Sequence, residues 1–304
     1  MGKRPALLYP AGMGSKPRIA IVGPGRLGTG LALALDDAGY RVGEMVVRVP
    51  GGRAARLLAR RLRARVLQIS AAELQSDVVW FCVPDGAIAA AAAALASSSW
   101  KGKIALHPSG AMSSDELAVL RKRGAAVASA HPMMTFAAGT RPALGGVSFA
   151  LEGDPRAVAA ARRIIRDLGG DCFDISKKAK PLYHVWGGLL SPLLVAHLAC
   201  AEEVARAAKI PARIARRNML PILRQTIENY AALGPERALT GPLTRGDVGT
   251  IARHLRNLGV AATGAEEVYR ALSLFAVREL GVKKRRELLQ LLGRRGSRKD
   301  AIVK

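Results

Sequence analysis

Gly23, Gly25 and Gly28 stand at the spacing GxGxxG within Gly23-Pro-Gly-Arg-Leu-Gly28. A short apolar run over 18–22 precedes them, and a stretch of helical character, Thr29–Ala38, follows. Strand, glycine turn and helix in that order form a phosphate-binding device. The first glycine permits the tight turn, the second lets the backbone approach a pyrophosphate, and the third lets helix pack on strand. The helix N-terminus turns free N–H groups and a positive dipole end toward the anion. Arg26 and Leu27 lie inside the turn and belong to the same expected contact set. The end of the next strand, expected over 42–49, selects the dinucleotide. An acidic residue there would bind ribose hydroxyls; this chain places Arg48 instead, with Arg53 and Arg56 following. A guanidinium fork suits a 2′-phosphate, so the expected cofactor is NADP.

Three further strand ends carry polar groups where packing needs none: Val83-Pro84-Asp85, His107-Pro-Ser109-Gly110, and His131 with the residues to Thr135. In an open α/β sheet, ligands bind beyond the carboxyl ends of the strands. Val83, Pro84, His107 and Ser109 are therefore expected beside the cofactor. Ser109 and Gly110 offer a hydroxyl and a backbone N–H to a substrate carbonyl or carboxylate. Reducing such a group takes a hydride and a proton, and an imidazole titrating near neutrality is a suitable proton donor.

Positioning these groups falls to a regular alternation of elements. Strand-like runs recur at 18–22, 42–49, 66–69, 77–83, 103–107, 125–130, 147–151 and 172–175. Helical stretches fall between most of them, as expected of a doubly wound, mostly parallel sheet in an α/β domain of the Rossmann type. Beyond about Ser176 the pattern becomes all-α, with helices expected over 180–209, 212–233, 247–258, 263–280 and 283–292. The expected division is a flexible leader over 1–16, a Rossmann domain over 17–176, a helical substrate and dimerisation domain over 177–292, and a basic tail over 293–304.

Composition narrows the class. The chain has 304 residues, half of them apolar, which suffices for two packed domains. Lys and Arg outnumber Asp and Glu by 47 to 23, a net charge of +24. Aromatic residues are only 4%, and no recognition motif accompanies the basic stretches 53–65 and 283–299, so no specific nucleic-acid partner is expected. Cys82, Cys172 and Cys200 form no CxxC pair, which argues against a zinc site or disulfide framework and fits a reducing cytoplasm. The most apolar runs, 87–96 and 187–201, fall short of a membrane span and read as buried helices.

The chain resembles the Rossmann-fold NADP oxidoreductase-like family that carries a C-terminal helical domain of unknown function. That group is related to ketopantoate reductase, pyrroline-5-carboxylate reductase and the 6-phosphogluconate and 3-hydroxyacid dehydrogenases. The resemblance rests on GPGRLG at 23–28, VPD at 83–85, HPSGAMSSDEL at 107–117, HPMMTF at 131–136, YHVWGGLLSP at 183–192 and ALTGPLTRGDVGTIARHL at 238–255. It implies an NADP-dependent reductase of a small oxo acid or imine, ketopantoate reduction being one activity connected with it. The substrate would sit in a cleft between two domains of a homodimer. Related enzymes place a catalytic lysine near the first long C-terminal helix. Lys180 lies one turn before His184 there, so His184 and His131 are the expected acid–base residues with Lys180 behind them. Arg245 is the candidate clamp for an anionic substrate, beside Asp247, a plausible helix N-cap. The family usually has Asn after the serine of that helix; here Ser191 is followed by Pro192, which should kink it. That departure keeps open a non-catalytic NADP-binding or sensing protein. A deazaflavin-linked NADP oxidoreductase is a further option.

Overall fold

The computed structural model describes residues 16–49, 52–137 and 143–293, so most of the expected leader and tail lie outside the described residues. Contacts divide the chain into two units, 1–188 and 189–304, with the division falling beyond residue 176. Lys180 and Tyr183 fall in the first unit, where both are buried and bonded to Ser109, Ser129 and His131.

The first unit runs β1 (Ile19–Val22), α1 (Arg26–Asp37), β2 (Val42–Val47), α2 (Arg53–Leu62), β3 (Arg65–Gln68), β4 (Val78–Phe81) and α3 (Ile88–Ala94). It continues with β5 (Ile104–His107), α4 (Ala118–Arg121), β6 (Ala126–Pro132), β7 (Ser148–Gly153), α5 (Pro155–Asp167), β8 (Asp171–Asp174) and α6 (Lys180–Leu190). All eight expected strands form one sheet, in the order β3-β2-β1-β4-β5-β6-β7-β8. Only the β6–β7 pair is antiparallel. The order reverses between β1 and β4, the switch point at which α/β sheets open a crevice for ligands.

The central strands are buried on both faces, as parallel strands covered by helices must be. Alternate side chains feed two cores. Ile19, Ile21, Val78 and Trp80 join Leu31, Leu35, Phe149 and Ile164 on one face. Ala20, Val22, Val79 and Phe81 join Ile88, Leu95, Trp100 and Leu117 on the other.

Helix ends shift where turn chemistry overrides periodicity. α1 starts at Arg26, directly after Gly25, and not at Thr29. Short 3-10 turns at Asp85–Ala87 and Ser114–Leu117 lead into α3 and α4. Arg63, at φ 52°, closes α2 in a left-handed cap, so the basic run enters β3 by Arg65.

The second unit holds α7 (Pro192–Ala207), α8 (Ala212–Leu233), α9 (Pro235–Ala238), α10 (Pro242–Arg245), α11 (Val248–Ala261), α12 (Thr263–Glu279) and α13 (Arg285–Gly293). The single helix expected over 180–209 is two: Ser191 leaves the helical region at φ −126°, ψ −79°, and Pro192 opens α7. Proline cannot donate the next backbone bond but is well placed in a first turn. Asp247 caps α11, its carboxylate accepting from the Thr250 N–H at 3.0 Å.

One expectation is corrected here. The apolar run 187–201 is not a buried helix: α7 and α8 contribute no buried residue, and Leu193, Val195, Ile222, Ile227 and Tyr230 are exposed. Within this unit the core is small, formed by Ile251, Leu255, Val277, Leu288 and Leu292 of α11, α12 and α13, and nothing in it covers those faces. The stretch Lys177–Ala207, which contains α6 and α7, holds an 18-residue window of mean hydropathy 1.4, long and apolar enough to cross a membrane by length and composition only.

Candidate active site

The glycine turn has the shape its sequence demands. Gly23 adopts φ 85°, and a Cβ there would lie 2.7 Å from Val83 Cγ1 and 2.9 Å from the Cys82 carbonyl oxygen. At Gly28 a Cβ would lie 2.4 Å from the Gly23 carbonyl oxygen. At Gly25 it would meet nothing within 4 Å, so this stretch of backbone faces open space. Gly25 caps α1 without a side-chain bond, and the first turn carries no acid. The N–H groups of Arg26, Leu27 and Gly28 therefore remain available to an anion, as a helix N-terminus requires for phosphate. Arg48 is exposed just past β2, and Arg53 is exposed at the first position of α2. Val83 is half-buried against the glycine turn and Pro84 is exposed. The turn and both arginines thus fit a dinucleotide bearing a 2′-phosphate.

A second cluster forms from the ends of β5 and β6 and the first two turns of α6. His107 is wholly buried and uses both ring nitrogens: Nε2 meets the Ser113 carbonyl at 2.9 Å, and Nδ1 accepts from the Ser109 N–H at 3.2 Å. Nε2 therefore carries the proton of this neutral ring. Desolvation, only partly opposed by the Ser113 hydrogen bond, pushes the imidazole down to about 4. The Ser109 hydroxyl accepts from the Met112 N–H at 2.9 Å. Glu152 of β7 holds the far end of this loop, accepting from the Ser114 N–H at 2.5 Å and from its hydroxyl at 2.9 Å. His107 and Ser109 thus serve first to shape the loop that carries Gly110.

Lys180 is fully buried beneath that loop. Its Nζ donates to the Ser109 carbonyl at 2.9 Å and to Ser129 Oγ at 2.7 Å; Ser129 in turn donates to the Ser109 carbonyl at 3.0 Å. Desolvation pushes the ammonium down to about 8, against the pull of Glu152 and Asp85. His131 Nδ1 lies 2.7 Å from Tyr183 Oη, the two rings meeting edge to face. Burial, with smaller contributions from Lys180, His184 and His107, pushes His131 down to about 4, and burial pushes the Tyr183 phenol up to about 12. His107, expected beside the cofactor, and His131, an expected acid–base residue, are thus both pushed below the usual imidazole range.

Gly110 explains how these groups come together. A Cβ there would stand 2.8 Å from His184 Cδ2 and 2.9 Å from His131 Nε2. The two imidazoles converge over Gly110, ring centroids 6.4 Å apart, and only glycine leaves them room. Lys180, Tyr183, His184 and Gly187 share one face of α6 by their i, i+3, i+4, i+7 spacing. His184 is exposed.

The first unit thus brings together Ser109, Gly110, His131, Lys180 and His184. Arg245 belongs to the second unit, exposed at the end of α10 and without an ion pair among the described residues. Sequence reasoning passed over Tyr183, Ser129 and Glu152. Serine inside the apolar strand β6 and tyrosine one turn after Lys180 were the available signals. No group of His, Cys, Asp and Glu among the described residues has metal-site geometry.

Comparison with known proteins places these features. Residues 18–108 match the family model described as NADP oxidoreductase, coenzyme F420-dependent. Residues 147–275 match the domain of unknown function DUF2520. No curated protein matches the chain. Among solved structures, a Bacteroides fragilis protein named provisionally as an NADP oxidoreductase is 23% identical at a TM-score of 0.69, covering 84% of this chain and 96% of that one. A protein from Thermotoga maritima is 22% identical at 0.65, covering 91% of this chain and all of that one. The reductive aminase of Aspergillus terreus, in complex with NADPH4, cyclohexanone and allyl amine, is 21% identical at 0.62, covering 91% and 99%. At these identities the likeness is one of fold. The NADP oxidoreductase model thus matches β1 to β5, and the DUF2520 model matches from β7 into α12, in that order along the chain.

Proposed function

We propose that this protein is an NADP-dependent reductase of a small compound carrying an oxo or imine group. The observation that carries the reading is the convergence of His131 and His184 over Gly110, at the sheet edge that also bears the glycine turn and Arg48. The turn and the first α1 N–H groups hold the pyrophosphate, and Arg48 with Arg53 holds the 2′-phosphate. Bound NADPH supplies a hydride. His184, exposed, delivers the proton to the reduced oxygen or nitrogen. His131, neutral, stands beside the same atom. Lys180 keeps a positive charge beneath the loop, where low dielectric strengthens its pull on negative charge developing above. Lys180 acts through the loop and is a positioning residue. Arg245 is the proposed contact for an anionic substrate group, and a second copy of the chain is the proposed cover for the apolar faces of α7 and α8.

NADPH consumption against a panel of 2-oxo acids, ketones with amines, and cyclic imines tests the reading. Turnover by the wild type, with an upper pH limb near 8 that Lys180→Met abolishes together with about tenfold of kcat, is the expected result. An unchanged pH profile in Lys180→Met would remove Lys180 from the account. One observation favours a second reading: the first-domain family model is described as coenzyme F420-dependent. Hydride exchange between NADP and a deazaflavin belongs in the same panel, and turnover of that pair alone would replace the small-substrate reading.

A further inference from the structure

The Tyr183–His131 pair carries an inference that rests on the reductase reading and goes past it. Tyr183 is buried, and its hydroxyl has one hydrogen-bond partner among the described residues, Nδ1 of His131. That bond could run in either direction. If Nδ1 held the proton and donated it, the phenol O–H would have no acceptor among the described residues. A donor left unpaired in a desolvated place is costly. If the phenol donates, its hydrogen is satisfied and Nδ1 is filled as an acceptor. The second arrangement leaves the one unpaired donor on Nε2 over Gly110, where a ligand atom can accept from it, and not on the buried phenol; a neutral imidazole with Nδ1 bare keeps its proton on Nε2. Nε2 has no partner among the described residues and lies at the spot over Gly110 where His184 also arrives.

We propose that Tyr183 is a positioning residue that locks His131 as the Nε2–H tautomer, so that the subsite over Gly110 presents a hydrogen-bond donor and takes the acceptor atom of its substrate. The substrate class follows. A carbonyl oxygen, a carboxylate oxygen or an imine nitrogen offers a lone pair to Nε2–H, whereas an iminium N–H or a protonated amine would face it donor to donor. The reducible group therefore arrives in its neutral form and is protonated there, by His184 in the reductase reading.

Nitrogen-15 labelling of the histidines in the full-length protein, read by long-range proton–nitrogen correlation near pH 7.5, reports the tautomer directly. His131→Gln serves only to assign the signal. The expected result is a single Nε2–H pattern for His131 in the wild type and a mixture of tautomers in Tyr183→Phe. A wild-type Nδ1–H pattern overturns the proposal without any variant, and so does a pure Nε2–H pattern in Tyr183→Phe. With a turned-over substrate, Tyr183→Phe is expected to lower kcat by about tenfold, the value of one hydrogen bond, with KM changed far less; an unchanged kcat overturns the positioning role. Absence of turnover in the wild type would count against the reductase reading alone, because the tautomer is read without catalysis.

Discussion

His107 and His131 show how far a residue's surroundings can depart from its type. Both are histidines at strand ends, where an acid–base residue is commonly sought. Both are held neutral down to about pH 4 by burial. The energetic consequence has a definite sign. A free imidazole takes up its proton near pH 6.5, before either of these rings does, so the unfolded chain binds more protons between about 6.5 and 4. Stability is therefore expected to fall as pH drops through that window. Thermal unfolding followed from pH 7 to pH 4 should show a declining midpoint, with a shallower decline in His131→Gln. A midpoint flat over that range in the wild type would contradict the burial argument. His184, on the exposed side of the same cluster, is the proposed proton donor.

The elements were legible in the sequence to the extent that one period governs them. Eight apolar runs separated by helical stretches describe the sheet, because a parallel strand covered on both faces must be apolar along its length. A kink at Pro192 was legible for the same kind of local reason, though not the full break into two helices at Ser191. Less visible were groups whose partners lie far along the chain. Glu152 closes on Ser114 and Ser129 on Lys180, across 38 and 51 residues, and no spacing rule connects them. Glu44 is a similar case, buried in β2 between Arg18, Arg65 and Ser76. Caps are local again. The Asp247 carboxylate caps α11 by accepting from the Thr250 N–H, so Asp247→Ala is expected to lower stability measurably in chemical denaturation. No measurable loss would mean that α11 is held by packing on α12 and α13 alone.

For the whole molecule, the surface of the second unit sets the problem. α8 is 22 residues long, ~33 Å at 1.5 Å per residue, and buries none of them in a single chain. Ile222, Ile227 and Tyr230 on α8, with Leu272 and Phe275 on α12, leave more apolar surface exposed than isolated side chains account for. Composition could not reveal this, since an apolar helix reads alike whether its own chain or another covers it. A homodimer is the proposed cover. Light scattering on the eluting protein should give twice the chain mass, and Ile222→Asp with Ile227→Asp should shift it toward monomer and aggregate. A stable monomer in the wild type would contradict the proposal. The charge of +24 looks different at this scale, because Arg48 and Arg53 account for a small, specific part of it and many of the other basic residues are exposed on helices.

The central claim, an NADP-dependent oxidoreductase, is tested most directly by calorimetric titration of NADPH and NADH into the wild type and into Arg48→Asp. The account expects NADPH to bind the wild type more tightly than NADH. Arg48→Asp should cost NADPH about 10–100-fold, the value of a charge-assisted contact to phosphate, and leave NADH little changed. No NADPH binding, or equal loss for both nucleotides, would contradict it.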